Sequence, residues 1–307
     1  NAQGKYTPRQ KFEDKISNTM LALGLSEIMT YSFLSPKAYD KIGMPEQDCL
    51  RNSVIISNPL GEDTSIMRTT ALPSMLDTLA RNYNNRNGAV ALFELASEYY
   101  PVEGQELPDE KTKLIAGLYG DDCDFFTAKG MVEQLLDTLF ISNYEFESSS
   151  DEYAYHPGRC AHIMIDDTVI GVIGEIHPKV AENYGINERI LCFTLDVDSL
   201  FAHTQTNATY TPLPKFPAVT RDLALICDEI IPVRMLEKAI TKGAGNLLET
   251  IQLFDVYQGE QIESGKKSVA FNIVLRSAEN TLAEEQVNST MKKVMKELEK
   301  VGASLRV

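Results

Sequence analysis

The stretch GEIHPKVAENYGI, residues 174–186, sets a glutamate and a histidine behind the apolar run VIGVI of 169–173. His177 is one of only four histidines in the chain, and a histidine beside a glycine-containing loop is a candidate general base. The same letters also spell a turn into a helix, with Pro178 at the first helical position and His177 at the cap. The structural reading is the stronger one, because His-Pro at a strand-to-helix junction fits a capping turn. His156 in YHPGR, 155–159, reads the same way, with more weight on a contact role because Arg159 stands beside it. Glu94 and Glu175 sit on strand-like runs and could pair as acid and base, but no third group supports them. Asp121, Asp122 and Asp124 resemble the start of a calcium loop that lacks its glycine and distal glutamate, so they read as a solvated turn. The five cysteines are scattered, odd in number and without a CxxC pair, which predicts buried free thiols rather than zinc ligands or disulfides. No catalytic group and no metal site is expected in this chain.

The elements that would position these residues come from hydrophobic periodicity. Thr7-Pro8 starts a helix with Phe12, Ile16, Met20 and Leu23 on one face, closed by Gly24. EIMTYSFLS of 27–35 reads as a strand. A helix follows Pro73, strands cover 89–101 and 113–120, and a helix covers 126–140. Two strands, 161–166 and 169–176, form a hairpin over Asp167, and 190–198 is a last strand. This is an α+β pattern, a largely antiparallel sheet with helices packed on it.

At 307 residues two domains are the expectation. Charge divides the chain. Residues 1–211 carry 16 Lys and Arg against 31 Asp and Glu, while 212–307 carry 13 of each. The acidic part is a poor primary surface for nucleic acid, since phosphates need cations. The proposed layout is a first domain over 1–205, a Thr- and Pro-rich linker over 206–214 and a second domain over 215–307. No apolar run is long enough to span a membrane, and a cytoplasmic location is expected. The chain begins at Asn1 rather than Met, which predicts a piece of something longer.

The second domain reads as βαββαβ. Strands fall at 221–229, 250–259, 267–276 and 303–307, with helices over 232–245 and 282–302, the latter capped by Thr281 with Glu284 as its partner. That order is a ferredoxin-like sandwich. Its outward residues on 268–276 lack the aromatic platform of an RNA-recognition motif. Candidate RNA contacts are Lys215, Phe216 and Arg221 where the linker meets the domain, and Lys266, Lys267 and Arg276 flanking one strand. Phe216 or Tyr257 would stack on a base. The run KKVMK, 292–296, alternates with acids and reads as a solvated helix face.

Particular strings sharpen this. PKFPAVTRDLAL of 214–225, LFDVYQG of 253–259 and NTLAEEQVN of 280–288 resemble the ferredoxin-fold anticodon-binding domain that closes the β subunit of bacterial phenylalanyl-tRNA synthetases. NPLGEDTSIMRTTALPSML, LFELASEYYP, YHPGRCAHI and GVIGEIHPKVAENYGI resemble the catalytic-core-like domain of the same subunit. The resemblance implies a class II synthetase-like antiparallel sheet in the first domain, related to the catalytic α-subunit domain. In that relative, the His-Pro and its helix lead to a strand ending in glycines and an arginine that holds ATP phosphates. Here the corresponding ILCFTLDVDSL, 190–200, has neither, and carries Asp196 and Asp198 instead. The strand 91–100 lacks an arginine too, and Arg68 stands alone.

The resemblance therefore implies a non-catalytic C-terminal fragment. It would scaffold the catalytic α subunit in an α2β2 heterotetramer and help bind tRNA(Phe) for ATP-dependent ligation of phenylalanine. No cofactor is expected in this chain, with Mg and ATP implied for the whole synthetase. A self-sufficient adenylate-forming ligase and a small-molecule-sensing regulator with a ferredoxin-like domain are the competing readings.

Overall fold

A computed structural model describes residues 4–205, 210, 212–259 and 261–306. The chain divides into two compact units, Asn1–Ala208 and Thr209–Val307. Of the expected linker over 206–214, residues 206–209 and 211 lie outside the described residues.

In the first unit, helix α1 (Pro8–Ala22) starts from a reciprocal cap. The Gln10 amide donates to Thr7 Oγ1 at 3.1 Å, and the Thr7 amide donates to Gln10 Oε1 at 2.9 Å. There follow β1 (Ser26–Glu27), β2 (Phe33–Leu34), α2 (Lys37–Lys41), β3 (Ile66–Met67) and α3 (Leu72–Asn84). Next come β4 (Val90–Tyr100), β5 (Asp109–Tyr119), α4 (Phe125–Thr138), β6 (Tyr144–Ser148), β7 (Tyr155–Ile165) and β8 (Thr168–Ile176). α5 (Pro178–Asn183), β9 (Leu191–Asp196) and α6 (Val197–His203) close the unit. The main sheet runs β1-β4-β5-β9-β8-β7-β6. Only β1 and β4 pair in parallel.

Alternation along these strands sends apolar side chains to both faces, so each face needs its own cover. Phe12, Ile16 and Met20 of α1 and Val132 and Leu136 of α4 pack on Phe93, Leu114, Ile173 and Phe193. Met75 and Leu79 of α3, Tyr39 of α2 and Val180 of α5 pack on Leu92, Ala96, Ile115 and Cys192. The β7–β8 turn is the expected hairpin, with Asp166 and Asp167 both at positive φ, 46° and 63°.

Four expectations need correction. The strand over 27–35 is broken, with residues 28–32 outside any strand. β6 has no counterpart in the sequence reading, and β7 begins at Tyr155, with a bulge between Tyr155 and Cys160 that throws HPGR out of the ladder. The last strand stops at Asp196, which accepts from the Ser199 amide at 2.6 Å and starts α6. Finally, all five cysteines are free, but Cys49 is exposed and Cys123 half-buried.

The second unit contains β10 (Val219–Asp228), α7 (Val233–Ala244), β11 (Leu248–Tyr257), β12 (Lys266–Leu275), α8 (Glu284–Lys300) and β13 (Ser304–Leu305). Its sheet order is β11-β12-β10-β13, antiparallel throughout, which is the split-βαβ arrangement. Leu225, Phe271, Ile273, Leu236, Val294 and Leu298 fill the space between sheet and helices. α8 starts two residues later than Thr281 would place it. Leu282 turns into the core instead, and Gln286 Oε1 accepts from the Ala283 amide at 3.0 Å.

Gly171 lies where a Cβ would stand 2.1 Å from the Thr194 carbonyl oxygen. Gly171→Ala is expected to cost about 1–3 kcal/mol through forced strand separation. Gly130→Ala, inside α4 with nothing within 4 Å of the added Cβ, should gain up to about 1 kcal/mol. Urea unfolding of the two variants checks both signs.

Candidate functional site

Arg68 is the largest fully buried side chain, 1 % exposed. Each of its three guanidinium nitrogens donates to the protein. Nε bonds the Ser97 carbonyl at 2.8 Å, Nη1 bonds Thr30 Oγ1 at 2.7 Å and Nη2 bonds Glu94 Oε1 at 3.0 Å. Thr30 completes the ring, donating from Oγ1 to Glu94 Oε2 at 2.7 Å. A buried charge without its partner costs several kcal/mol, so the pair stands or falls together. A guanidinium enclosed this way has no edge left for a phosphate in solvent.

Glu98, the next position of the same face beyond Ala96, is also buried, at 3 %. It accepts from the Ala71 amide at 2.8 Å and the Tyr100 hydroxyl at 2.5 Å. Burial pushes its carboxyl above the ordinary range, against the pull of these hydrogen bonds. Glu175 does not meet Glu94. It is held by Arg159, at 2.8 Å and 3.0 Å, and by Arg189 at 3.1 Å. The acid–base pair of the sequence reading is thus two separate ion pairs.

The histidines are local devices. His177 Nδ1 accepts from the Lys179 amide at 3.1 Å and caps α5, with Pro178 at its first position. His156 Nδ1 accepts from the Gly158 amide at 3.0 Å inside the bulge. Asp124 caps α4 by accepting from the Thr127 amide at 2.7 Å. Asp196 pairs with Lys113 at 2.6 Å and Asp198 with Arg9 at 2.6 Å. Among the described residues no group of three His, Cys, Asp or Glu could hold a metal ion.

What the sequence reading missed is a ridge. Met29 is 96 % exposed, Tyr31 81 % and Leu60 98 %, with Ile55 and Phe33 also exposed. β2 pairs with β3, and Ile55 bridges to Ile66, so these residues share one lobe. The available signal was the alternation of Ile28 and Thr30 with Met29 and Tyr31, read as a strand but not as one with an unfilled apolar side.

In the second unit the candidate RNA contacts fall into two groups. Lys215 is exposed, and the carbonyl of half-buried Phe216 accepts from Arg276 Nη1, whose Nε bonds Glu249 at 2.8 Å. Arg221 is nearby on β10 and donates to the Thr220 carbonyl at 2.9 Å. Lys266, paired with Glu263 at 2.7 Å, Lys267 and Tyr257 lie at the other end of β12. The ends are about 30 Å apart at roughly 3.3 Å per residue. Lys267 is only 9 % exposed and packs near Cys227 rather than facing solvent. On the face away from the core, Ser268 lies between Ile226 and Tyr257 in register, which buries that small side chain. Tyr257 is an aromatic of this face next to β12, and Phe254, 57 % exposed, stands at the bulge of β11.

The first unit's fold is that of a class II aminoacyl-tRNA synthetase. The crystal structure of pyrrolysyl-tRNA synthetase from Desulfitobacterium hafniense superposes with a TM-score of 0.53 over 63 % of this chain and 68 % of that one; at 16 % identity this is a likeness of fold. Residues 1–197 match the family described as the phenylalanyl tRNA synthetase beta chain CLM domain, and 214–306 match the ferredoxin-fold anticodon binding domain. The chain belongs to the phenylalanyl-tRNA synthetase β-chain family. It is 43 % identical over 299 residues to the phenylalanine–tRNA ligase beta subunit of Clostridium acetobutylicum and 42 % over 302 residues to that of Clostridium tetani. It covers 97 % and 98 % of itself in these matches but only 38 % of either relative's length.

Because folding keeps the Glu98 carboxyl protonated to higher pH, its contribution is present at low pH and lost as pH rises through the raised pKa. Glu98→Gln stays neutral, so its stability relative to the unmodified protein should increase with pH. Urea midpoints of both proteins in mildly acidic and mildly alkaline buffer check this, and a constant difference would contradict it.

Proposed function

We propose that this chain is a catalytically silent part of a phenylalanine–tRNA ligase β subunit. Its first unit docks on the catalytic α subunit, in an α2β2 assembly, and its second unit helps hold tRNA(Phe). ATP and magnesium act at the α subunit, in the cytoplasm; no described helix here is long and apolar enough to cross a membrane. The observation that carries this reading is Arg68. On a class II sheet it is turned inward and consumed by Glu94, Thr30 and Ser97. The strand that would end in a phosphate-binding arginine ends instead in Asp196, which is committed to Lys113 and the start of α6.

For the second unit, Tyr257 offers a ring for an unstacked anticodon base, with Lys266 close by for phosphate. Lys215, Arg221, Phe216 and Arg276 would touch the backbone from the far end of the sheet. Lys267 contributes packing rather than contact.

Three outcomes test the reading. The chain alone should show no phenylalanine-dependent ATP–pyrophosphate exchange; exchange above background would revive a self-sufficient ligase. Tyr257→Ala should weaken tRNA(Phe) binding about 10- to 100-fold, the equivalent of about 1–3 kcal/mol of lost stacking. Lys215→Ala should lower the salt dependence of binding by about one counterion.

A further inference from the structure

Beyond β1 the edge of β4 is met by Arg68, through both its side chain and its backbone, rather than by a strand. β1 covers it for two residues only, pairing Ser26 with Leu92 and Glu27 with Phe93. The Ile28 amide still reaches the Phe93 carbonyl at 2.9 Å. Two residues on, the Thr30 amide meets the Glu94 carboxylate at 3.3 Å instead of backbone. From there Arg68 takes over. Its carbonyl accepts from the Tyr99 amide at 2.9 Å, its Nε bonds the Ser97 carbonyl at 2.8 Å and its own amide bonds the Ser32 carbonyl at 2.9 Å. Of the ladder groups that residues 30–32 would have used, the Ser97 carbonyl and the Tyr99 amide are taken by Arg68.

We propose that Arg68 is a positioning residue: a buried plug on the β4 edge that holds residues 28–32 off the sheet and turns Met29 and Tyr31 outward as the ridge on which the catalytic subunit docks. This rests on the docking reading above. The ridge's chemistry selects that occupant. Residues 27–35 and 52–66 contain no Lys or Arg, and of the cations lining the recess beside Met29 and Tyr31, Lys37 and Lys41 are already paired with Glu62 and Asp77, at 2.8 Å and 3.3 Å, so the surface is a poor one for RNA phosphates. Residues 1–211 hold 16 cationic against 31 acidic side chains, which sets two copies of this chain against each other. An apolar cluster of this exposure on a strongly acidic unit fits a heterologous protein face.

Thr30 points inward because its hydroxyl is caught between Arg68 and Glu94, and burial alternates around it, with Met29 and Tyr31 exposed on either side. A lysine at 68 could keep the charge but not the three-way fork. A second anchor holds the lobe's other leg, where Tyr39 Oη lies 2.8 Å from Ser53 Oγ and 2.9 Å from Thr69 Oγ1.

The test uses the double variant Arg68→Met/Glu94→Leu, which leaves no unpaired buried charge, with Arg68→Lys as the variant that decides should the double variant not fold. Hydrogen exchange of residues 28–32, the thermal midpoint and the affinity for the catalytic α subunit are measured together. The expected result is faster exchange confined to 28–32, a midpoint near that of the unmodified protein and at least about tenfold weaker association. Tyr31→Ala should weaken association equally with exchange unchanged. Unaltered exchange over 28–32 in a folded variant would overturn the plug. Loss of exchange protection with unaltered association would overturn the ridge as the docking face. If the unmodified chain itself binds no α subunit, the docking reading fails, and the exchange data still decide what Arg68 does.

Discussion

A single buried ion pair governs the first unit. Arg68 and Glu94 are 3.0 Å apart with almost no exposure, and neither can be removed alone without leaving a charge in the core. Their geometry decides three things together. It helps close one edge of the sheet, it holds Thr30 in the segment after β1, and it leaves the Arg68 guanidinium no free edge for a ligand.

The two units divide the physical work along the same line as the charge. All of the chain's excess of acid lies in residues 1–211, and the remainder is balanced. The acidic unit carries the exposed apolar ridge. The balanced unit carries Tyr257 beside β12 and cations near both ends of that strand.

Much of this was legible from residue types alone. The βαββαβ order followed from period-two runs and one long amphipathic helix, and the role of His177 followed from the proline after it. What escaped depended on distant partners. The break at residues 28–32 is caused by Arg68, far along the chain, so no local window contains its reason. The bulge at HPGR needs β8 to define it. The start of α8 was misplaced because Leu282 is drawn into a core that the local capping pattern does not show. Lys267 looked like a surface cation because burial at a strand end depends on what packs over it. The family resemblance supplied the class of fold and the partners it implies, while the pairing of Arg68 with Glu94 came only from coordinates.

The central claim is that this chain is a docking and tRNA-holding part rather than an enzyme in its own right. Light scattering on a size-exclusion column, with the chain mixed with the catalytic α subunit of the same organism, tests it most directly. The account predicts a stable complex whose mass is that of both proteins together. Two separate peaks at the masses of the free proteins would contradict it.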